Sequence, residues 1–404
     1  MLTVEAAQRA VMERVGPLPL RSRPLGEASG CVLGEEVLAD LDQPPFDKSQ
    51  VDGFAVRAAD LRGDDRWLML GEEIAAGRPP TRPLGPREAA AIMTGAPLPT
   101  GADAVVMIEK TQRVEGRVLV AAEGVRPGQN YLARGREIRA GEAVLRPGGR
   151  LNAAAIGLLA SVGRIEVVVV PRPRVVVVPT GDELVEPDRV PGPGQIRNSN
   201  AAMLRALVLG GGADAEALPI APDEPGPLAE VLGRGLAADV LLITGGVSAG
   251  TRDLVPGTLE RLGVAPVFHK VRLRPGKPLW FGVGPPRSEA PGALVFGLPG
   301  NPVSGIVGFL LFVRPALDAL AARTGGGPPS TAHRLLRPCS HVGDRPTYHP
   351  ARLVEAGDGP ALEPLDWAGS SDLRTVAGAD GFAILPEGEH TFEPGEIVNF
   401  LPLG

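Results

Sequence analysis

Beyond Arg172-Pro173-Arg174 the chain alternates buried-strand and helix patterns, and that alternation restricts the fold more than any other feature. Residues 175–178 are four successive valines. Such a run suits a parallel strand covered on both faces. A helix pattern follows at 201–209, a strand at 216–220, a helix at 227–236, a strand at 240–244 and a helix at 254–262. This order predicts a doubly wound α/β domain over 173–326. Ligands of such sheets lie beyond the carboxyl ends of the strands, so the loops after each strand are the ones to inspect.

Four such loops collect glycine, hydroxyl and acidic residues. They are Thr180-Gly181-Asp182-Glu183, Asp223-Glu224-Pro225, the stretch from Gly245-Gly246 through Ser248 to Asp253, and Leu298-Pro299-Gly300-Asn301-Pro302 with Ser304 just beyond. In the last, Asn301 suits an N-cap and Pro302 the first helical position, so an apolar strand runs through a tight turn into a helix whose free N–H groups favour an anion. A basic loop carrying Lys270, Arg272, Arg274 and Lys277 falls between the third and fourth. Glycine N–H groups and hydroxyls suit phosphate. Neighbouring carboxylates suit a hard divalent cation, Mg²⁺ first, bridging to substrate phosphate. Taken singly, Asp182, Asp223 and Asp253 also suit helix caps, Glu183 an exposed loop and the basic residues a solvated face. The succession on one sheet edge favours a phosphate and metal site.

The rest of the chain reads as additional domains, as its 404 residues require. Thr3 is placed to cap a helix through Val15. Short β segments punctuated by Gly and Pro fill 51–120, a helix is expected near 152–161 and a strand at 165–170. The expected division is a discontinuous N-terminal domain (1–42 with 140–172), a β-rich inserted domain (43–139), the α/β domain (173–326) and a small C-terminal β-barrel-like domain (327–404). A net charge of −6 and 4% aromatic residues give no nucleic-acid footprint. Cys31 and Cys339 form no CxxC pair, and the five histidines lack metal-ligand spacing. Glu5, Arg9 and Glu13 in the first helix pattern argue against a signal peptide, and the apolar stretch 303–313 is shorter than the ~18–20 residues of a membrane span. A cytoplasmic protein with no membrane partner is expected.

The ordered motifs TGDEL, GQIRNSN, GGVSAGTRD, RPGKP and GLPGNPVSG resemble those of the molybdopterin molybdenumtransferase (MoeA) family, related to the gephyrin E domain. Further upstream, DKSQVDGFAV resembles that family's SAMDGYA motif, and IMTGAPLP its MTGAP segment. The resemblance spans essentially the whole chain. It implies an elongated homodimer of four-domain subunits, in which the α/β domain holds the pterin and the partner's β-rich insert completes the cleft. It implies insertion of molybdate into adenylylated molybdopterin with release of AMP, Mg²⁺ as cofactor, and a molybdopterin adenylyltransferase as upstream partner. By motif position, Asp52 and Thr94 are the insert's contribution. Glu183, Asp223 and Asp253 surround Mg²⁺, Lys270, Arg274 and Lys277 hold phosphate or molybdate, and Pro299 and Pro302 shape the turn beside the ligand. Ser371 is a weaker match in the C-terminal part.

Two positions depart from the family pattern. Arg274 stands where lysine is frequent, which keeps the charge but changes its geometry. A family arginine near Tyr348-His349-Pro350-Ala351-Arg352 falls on Pro350, with Arg352 close by. Two other readings compete. A molybdopterin adenylyltransferase shares the α/β module but has no use for residues 1–172 and 327–404. A molybdopterin-binding scaffold would be expected to lose the acidic set, which is intact here. Without the resemblance, the loops alone support a nucleotide- or phosphosugar-binding α/β enzyme.

Overall fold

The computed structural model describes residues 1–247, 254–287, 291–323, 330–357 and 359–403. The backbone divides into two units. One comprises Met1–Gly34, Gly148–Asn152 and Val168–Gly404, and the other Glu35–Pro147 and Ala153–Val167.

The first unit is built on a six-stranded sheet. Its order is Asp214–Ala217, Arg174–Pro179, Val240–Thr244, Leu294–Leu298, Trp280–Val283, Ala265–His269. The first four strands are parallel and the last two antiparallel, so the doubly wound layer carries an antiparallel edge. Alternate side chains of each strand enter opposite cores, as the two-residue period of a strand dictates. Val175, Val177, Leu242 and Phe296 pack with the helix Ser199–Gly210 and with Val303, Val307 and Leu310. Val176, Val178, Leu241, Ile243 and Val295 pack with Leu228, Leu232, Val255 and Leu259 of the helices Pro225–Gly235 and Leu254–Arg261. Burial on both faces is why these strands read as unbroken apolar runs.

Two expected boundaries move. The strand placed at 216–220 is observed at Asp214–Ala217. Leu218 N–H still donates to the Val177 carbonyl, and the pairing resumes one residue out of step at Ala221, whose N–H donates to the Pro179 carbonyl. The first helix, capped by the Thr3 hydroxyl, ends at Met12 rather than Val15. The helical run after Asn301 begins at Pro302 and continues to Leu320 through a π-helical turn at Phe309–Val313. Its 19 residues are long and apolar enough to cross a membrane, contrary to the shorter stretch expected, but 83% of its apolar window is buried within the protein. It is a core helix, packed on Val4, Ala7 and Val11 of the first helix.

The C-terminal part forms a five-stranded antiparallel sheet, ordered Thr331–Arg334, Ile397–Pro402, Gly381–Leu385, Thr347–Ala356, Gly359–Pro364. A bridge between Leu335 and Leu362 joins the two edges, which gives it the barrel-like character expected. Tyr348, Phe382 and Leu401 belong to the core of the α/β layer, so this sheet and the central domain share one apolar interior.

The second unit contains a six-stranded sheet of order Ala104–Met107, Gly53–Val56, Glu88–Ile92, Trp67–Ile74, Arg117–Val120, Thr111–Val114. Phe54, Val56, Leu68 and Val106 fill one face and Ala55, Ile74, Ile92 and Val105 the other. Gly53 is required where it stands, because a Cβ there would lie 1.9 Å from the carbonyl oxygen of Val106.

Candidate functional site

The carboxyl edge of the parallel strands opens into a cavity of about 570 Å³. Its walls come from the loops singled out by sequence: Thr180 and Glu183, Asn198 to Asn200, Gly245 and Gly246, and Pro299 to Pro302, with Ser371 from the C-terminal part. The backbone enforces glycine at Gly245 and Gly246, with φ of +94° and +62°. A Cβ on Gly245 would sit 2.4 Å from the Thr180 carbonyl oxygen, and one on Gly246 2.8 Å from Val255. Gly300 is different. Its Cβ would meet only the Cα of Gly245, at 3.8 Å, so glycine there keeps the cavity open without being needed by the fold.

Asn301 occupies the N-cap position with Pro302 at the first helical position, but its side chain does not cap the helix. It donates instead to the Ser370 hydroxyl at 2.8 Å, while Val303 N–H donates to the Ser370 carbonyl. These bonds fasten the C-terminal segment against the helix start and bring Ser371 to the cavity. Asn200, on the opposite wall, donates to the Thr244 hydroxyl at 2.8 Å and to the Gly300 carbonyl at 2.7 Å. It ties two loops together. The Thr180 hydroxyl and the Asn200 carbonyl oxygen are buried with no hydrogen-bond partner. Buried polar groups of that kind mark a place where a bound group or water completes the bonding. His269, otherwise an ordinary residue by sequence, places its Nε2 3.0 Å from the Val247 carbonyl and steadies the glycine loop.

A second cavity of about 440 Å³ adjoins the first, sharing Pro278, Pro299 and Asn301. It is lined by Arg274, Lys277, Ser304, Arg345, Trp367 and Ser370. Arg345 is the residue that sequence reasoning missed. Arg274 N–H donates to the Pro346 carbonyl and Tyr348 N–H to the Arg274 carbonyl, so the basic loop joins the start of a C-terminal strand and Arg345 arrives with it. Arg352 lines neither cavity. Its guanidinium donates to the Gly378 carbonyl and lies 4.0 Å from Glu363, and Pro350 is paired with Phe382 inside the sheet. No local sequence signal distinguishes Arg345, because the bridge that carries it is tertiary.

The acidic set is only partly assembled. Asp223 N–H donates to the Asp182 carboxylate at 3.1 Å, which links the first two loops. Glu183 is the acidic residue lining the larger cavity. Asp223 and Lys270 are not among the residues lining either cavity, and Lys270 holds a left-handed backbone at φ +73°. Ser248 and Asp253 lie outside the described residues. Among the described residues no group of three or more His, Cys, Asp or Glu side chains is arranged to hold a metal. The donors still fit Mg²⁺, which commonly takes one or two carboxylates and completes its shell with water and substrate phosphate.

In the second unit, the Gly53–Ile92 pairing sets Asp52 and Thr94 beside each other at the ends of adjacent strands. The Asp52 carboxylate accepts from the Thr94 N–H at 2.7 Å and from its hydroxyl at 2.8 Å. Those two bonds hold its pKa below the usual carboxylate value, the N–H contributing most.

Fold and site together define a multidomain protein whose α/β layer presents a glycine-lined cavity beside a cationic one. Family profiles match in sequence order: the MoeA N-terminal region (domain I and II) at residues 2–163, the probable molybdopterin binding domain at 176–319 and the MoeA C-terminal region (domain IV) at 333–403. Molybdopterin molybdenumtransferase 2 of Mycobacterium tuberculosis H37Rv is 36% identical over 398 residues, covering 96% of each chain. Molybdopterin molybdenumtransferase of Bacillus subtilis 168 is 35% identical over 390 residues, covering 91% of this chain and 86% of its own. The crystal structure of the molybdopterin biosynthesis MoeA protein from Pyrococcus horikoshii aligns with a TM-score of 0.77 at 30% identity, over 100% of this chain and 99% of the other. The chain belongs to the MoeA family.

Proposed function

We propose that this protein inserts molybdate into adenylylated molybdopterin and releases AMP, yielding molybdenum cofactor. The observation that carries this reading is the pairing of two adjoining cavities that share the wall Pro278, Pro299 and Asn301. The larger suits the adenylylated pterin. Gly245, Gly246 and Gly300 let backbone N–H groups approach its phosphates, and the unpartnered Thr180 hydroxyl and Asn200 carbonyl oxygen await polar groups. The smaller suits molybdate, a dianion, through Arg274, Lys277 and Arg345 with the Ser304 and Ser370 hydroxyls. A shared wall sets the oxyanion beside the ligand that receives it, which is the proximity a two-substrate reaction needs.

The reaction joins two steps. The two dithiolene sulfurs displace one molybdate oxygen, which leaves as water with the thiol protons. Water cleaves the phosphoanhydride and AMP departs. Mg²⁺ would be held by Glu183, with Asp223 and Asp253 as the family resemblance implies, and would supply charge neutralisation. The family resemblance assigns the remaining charged roles to Asp52, held ionised by Thr94, and to Lys270. Pro299 and Pro302 fix the turn on which Gly300 and Asn301 stand.

A homodimer in the cytoplasm, supplied with its substrate by a molybdopterin adenylyltransferase, belongs to the same reading. The helix Ala153–Ser161 supports the dimer, since it is apolar nearly all round while Leu159 is its buried residue. Asp52→Ala and Glu183→Ala variants, assayed for reconstitution of a molybdenum-free apoenzyme, test the function. Both are expected to lose most turnover while melting close to the parent. Near-normal turnover in both would overturn the site.

A further inference from the structure

The opposite, amino-terminal edge of the parallel sheet carries another cavity, of about 1050 Å³. Arg174 is the first residue of the strand Arg174–Pro179, Asp214 of Asp214–Ala217, and Asp239 immediately precedes Val240–Thr244. Five arginines line it: Arg21, Arg23, Arg172, Arg174 and Arg287. Against them stand Glu27, Asp214 and Asp239, which leaves the walls positive in a chain of net charge −6.

The ion pairs do structural work and do not consume the site. Arg287 donates to Asp239 at 2.9 Å and to the carbonyls of Ala237, Ala238 and Pro291, so it fixes one wall. Arg172 and Asp214, 3.0 Å apart, fix another. Asp239 also accepts from the Arg174 backbone N–H at 2.9 Å, which holds that residue in place while its guanidinium makes no hydrogen bond or ion pair among the described residues. Arg23 is 3.7 Å from Glu27, an exposed pair that contributes little and yields readily to a stronger anion. A rigid frame beside the Arg174 guanidinium and the weakly paired Arg23 is the arrangement that recognises phosphate by paired hydrogen bonds. Among the described residues no aromatic side chain lines the cavity, so a ligand there is held by charge and not by stacking of a base.

We infer that this arginine-lined cavity is a second anion site, separate from the carboxyl-edge cavities, for a small multiply charged phosphate compound. It is independent of the proposed reaction.

Calorimetric titration of the full chain with tripolyphosphate tests it. Three proteins are compared: the parent, Arg23→Ser with Arg174→Ser, and Lys277→Ser with Arg345→Ser, which strips the other cationic cavity. The expected result is saturable binding that weakens with salt, persists in the Lys277/Arg345 variant and falls about tenfold or more in the Arg23/Arg174 variant. An Arg23→Lys, Arg174→Lys variant with a parental melting temperature should recover part of the loss. No saturable binding, equal loss in both variants, or loss confined to the Lys277/Arg345 variant would each overturn the assignment.

Discussion

Two neighbouring glycines that line the larger cavity should respond to the same substitution in different ways. In Gly245→Ala, a methyl is forced onto a residue at φ +94° and 2.4 Å from a backbone oxygen. The left-handed conformation alone costs a non-glycine residue roughly 1–2 kcal/mol. Overpacking against a backbone atom adds about 1–3 kcal/mol, because a carbonyl cannot swing aside as a side chain can. The variant should therefore lose about 2–5 kcal/mol of stability, with the glycine loop displaced and ligand binding lost with it. In Gly300→Ala the new methyl meets only the Gly245 Cα at 3.8 Å, an ordinary contact. Its stability should stay within about 0.5 kcal/mol of the parent. The methyl occupies cavity space, however, so affinity for the adenylylated ligand should fall while folding is unaffected. Chemical denaturation and equilibrium binding of the ligand, run on both variants, separate the two effects. A Gly245→Ala protein as stable as the parent, or a Gly300→Ala protein that binds normally, would refute the reasoning.

Arg345→Ala should raise the molybdate concentration needed for half-maximal turnover about tenfold or more, whereas Arg352→Ala should leave it unchanged; equal effects would return the role to Arg352. Thr94→Val removes one of the two bonds that keep Asp52 ionised, so the acid limb of the pH–rate profile should move to higher pH, and an unshifted limb would show that Asp52 does not govern it. His341 and His349 have pKa values lowered chiefly by burial, with Arg274 a further cause at His341. Their unfolded value is near 6.5. The unfolded chain therefore takes up protons that the native chain refuses, so stability is complete above about pH 6.5 and is lost as pH falls through that value toward the folded pKa. Melting temperatures between about pH 7.5 and 5.5 should show this loss, and His341→Gln should reduce it; an unchanged slope would count against the assignment.

How much was legible in the sequence depended on whether the signal was local. The valine run 175–178 and the strand Val240–Thr244 are buried on both faces, so burial wrote itself into composition. The glycine loops were legible because positive φ and close approach demand glycine at Gly245 and Gly246. Asn301 was found at its N-cap position, but its side chain turns to Ser370, a partner 69 residues away that no local rule identifies. Arg345 was invisible for the same reason, being delivered by a backbone bridge between Arg274 and Thr347. The strand expected at 216–220 lies at Asp214–Ala217, with the pairing slipping out of step between Leu218 and Ala221, a shift that hydropathy does not encode. The helix Pro302–Leu320 begins where Asn301 as N-cap and Pro302 as first helical residue placed it. Within it Gly308 sits where the helix packs closely, since a Cβ there would be 3.0 Å from Leu279 and Leu298.

The central claim is that one protein couples molybdate capture to release of the adenylyl group. Its most direct test is AMP release by the purified protein from adenylylated molybdopterin with Mg²⁺, measured with and without molybdate. The account predicts AMP release that depends on molybdate and is abolished by Glu183→Ala. Tight binding of the adenylylated ligand with no AMP release in either condition would contradict it and favour a binding scaffold.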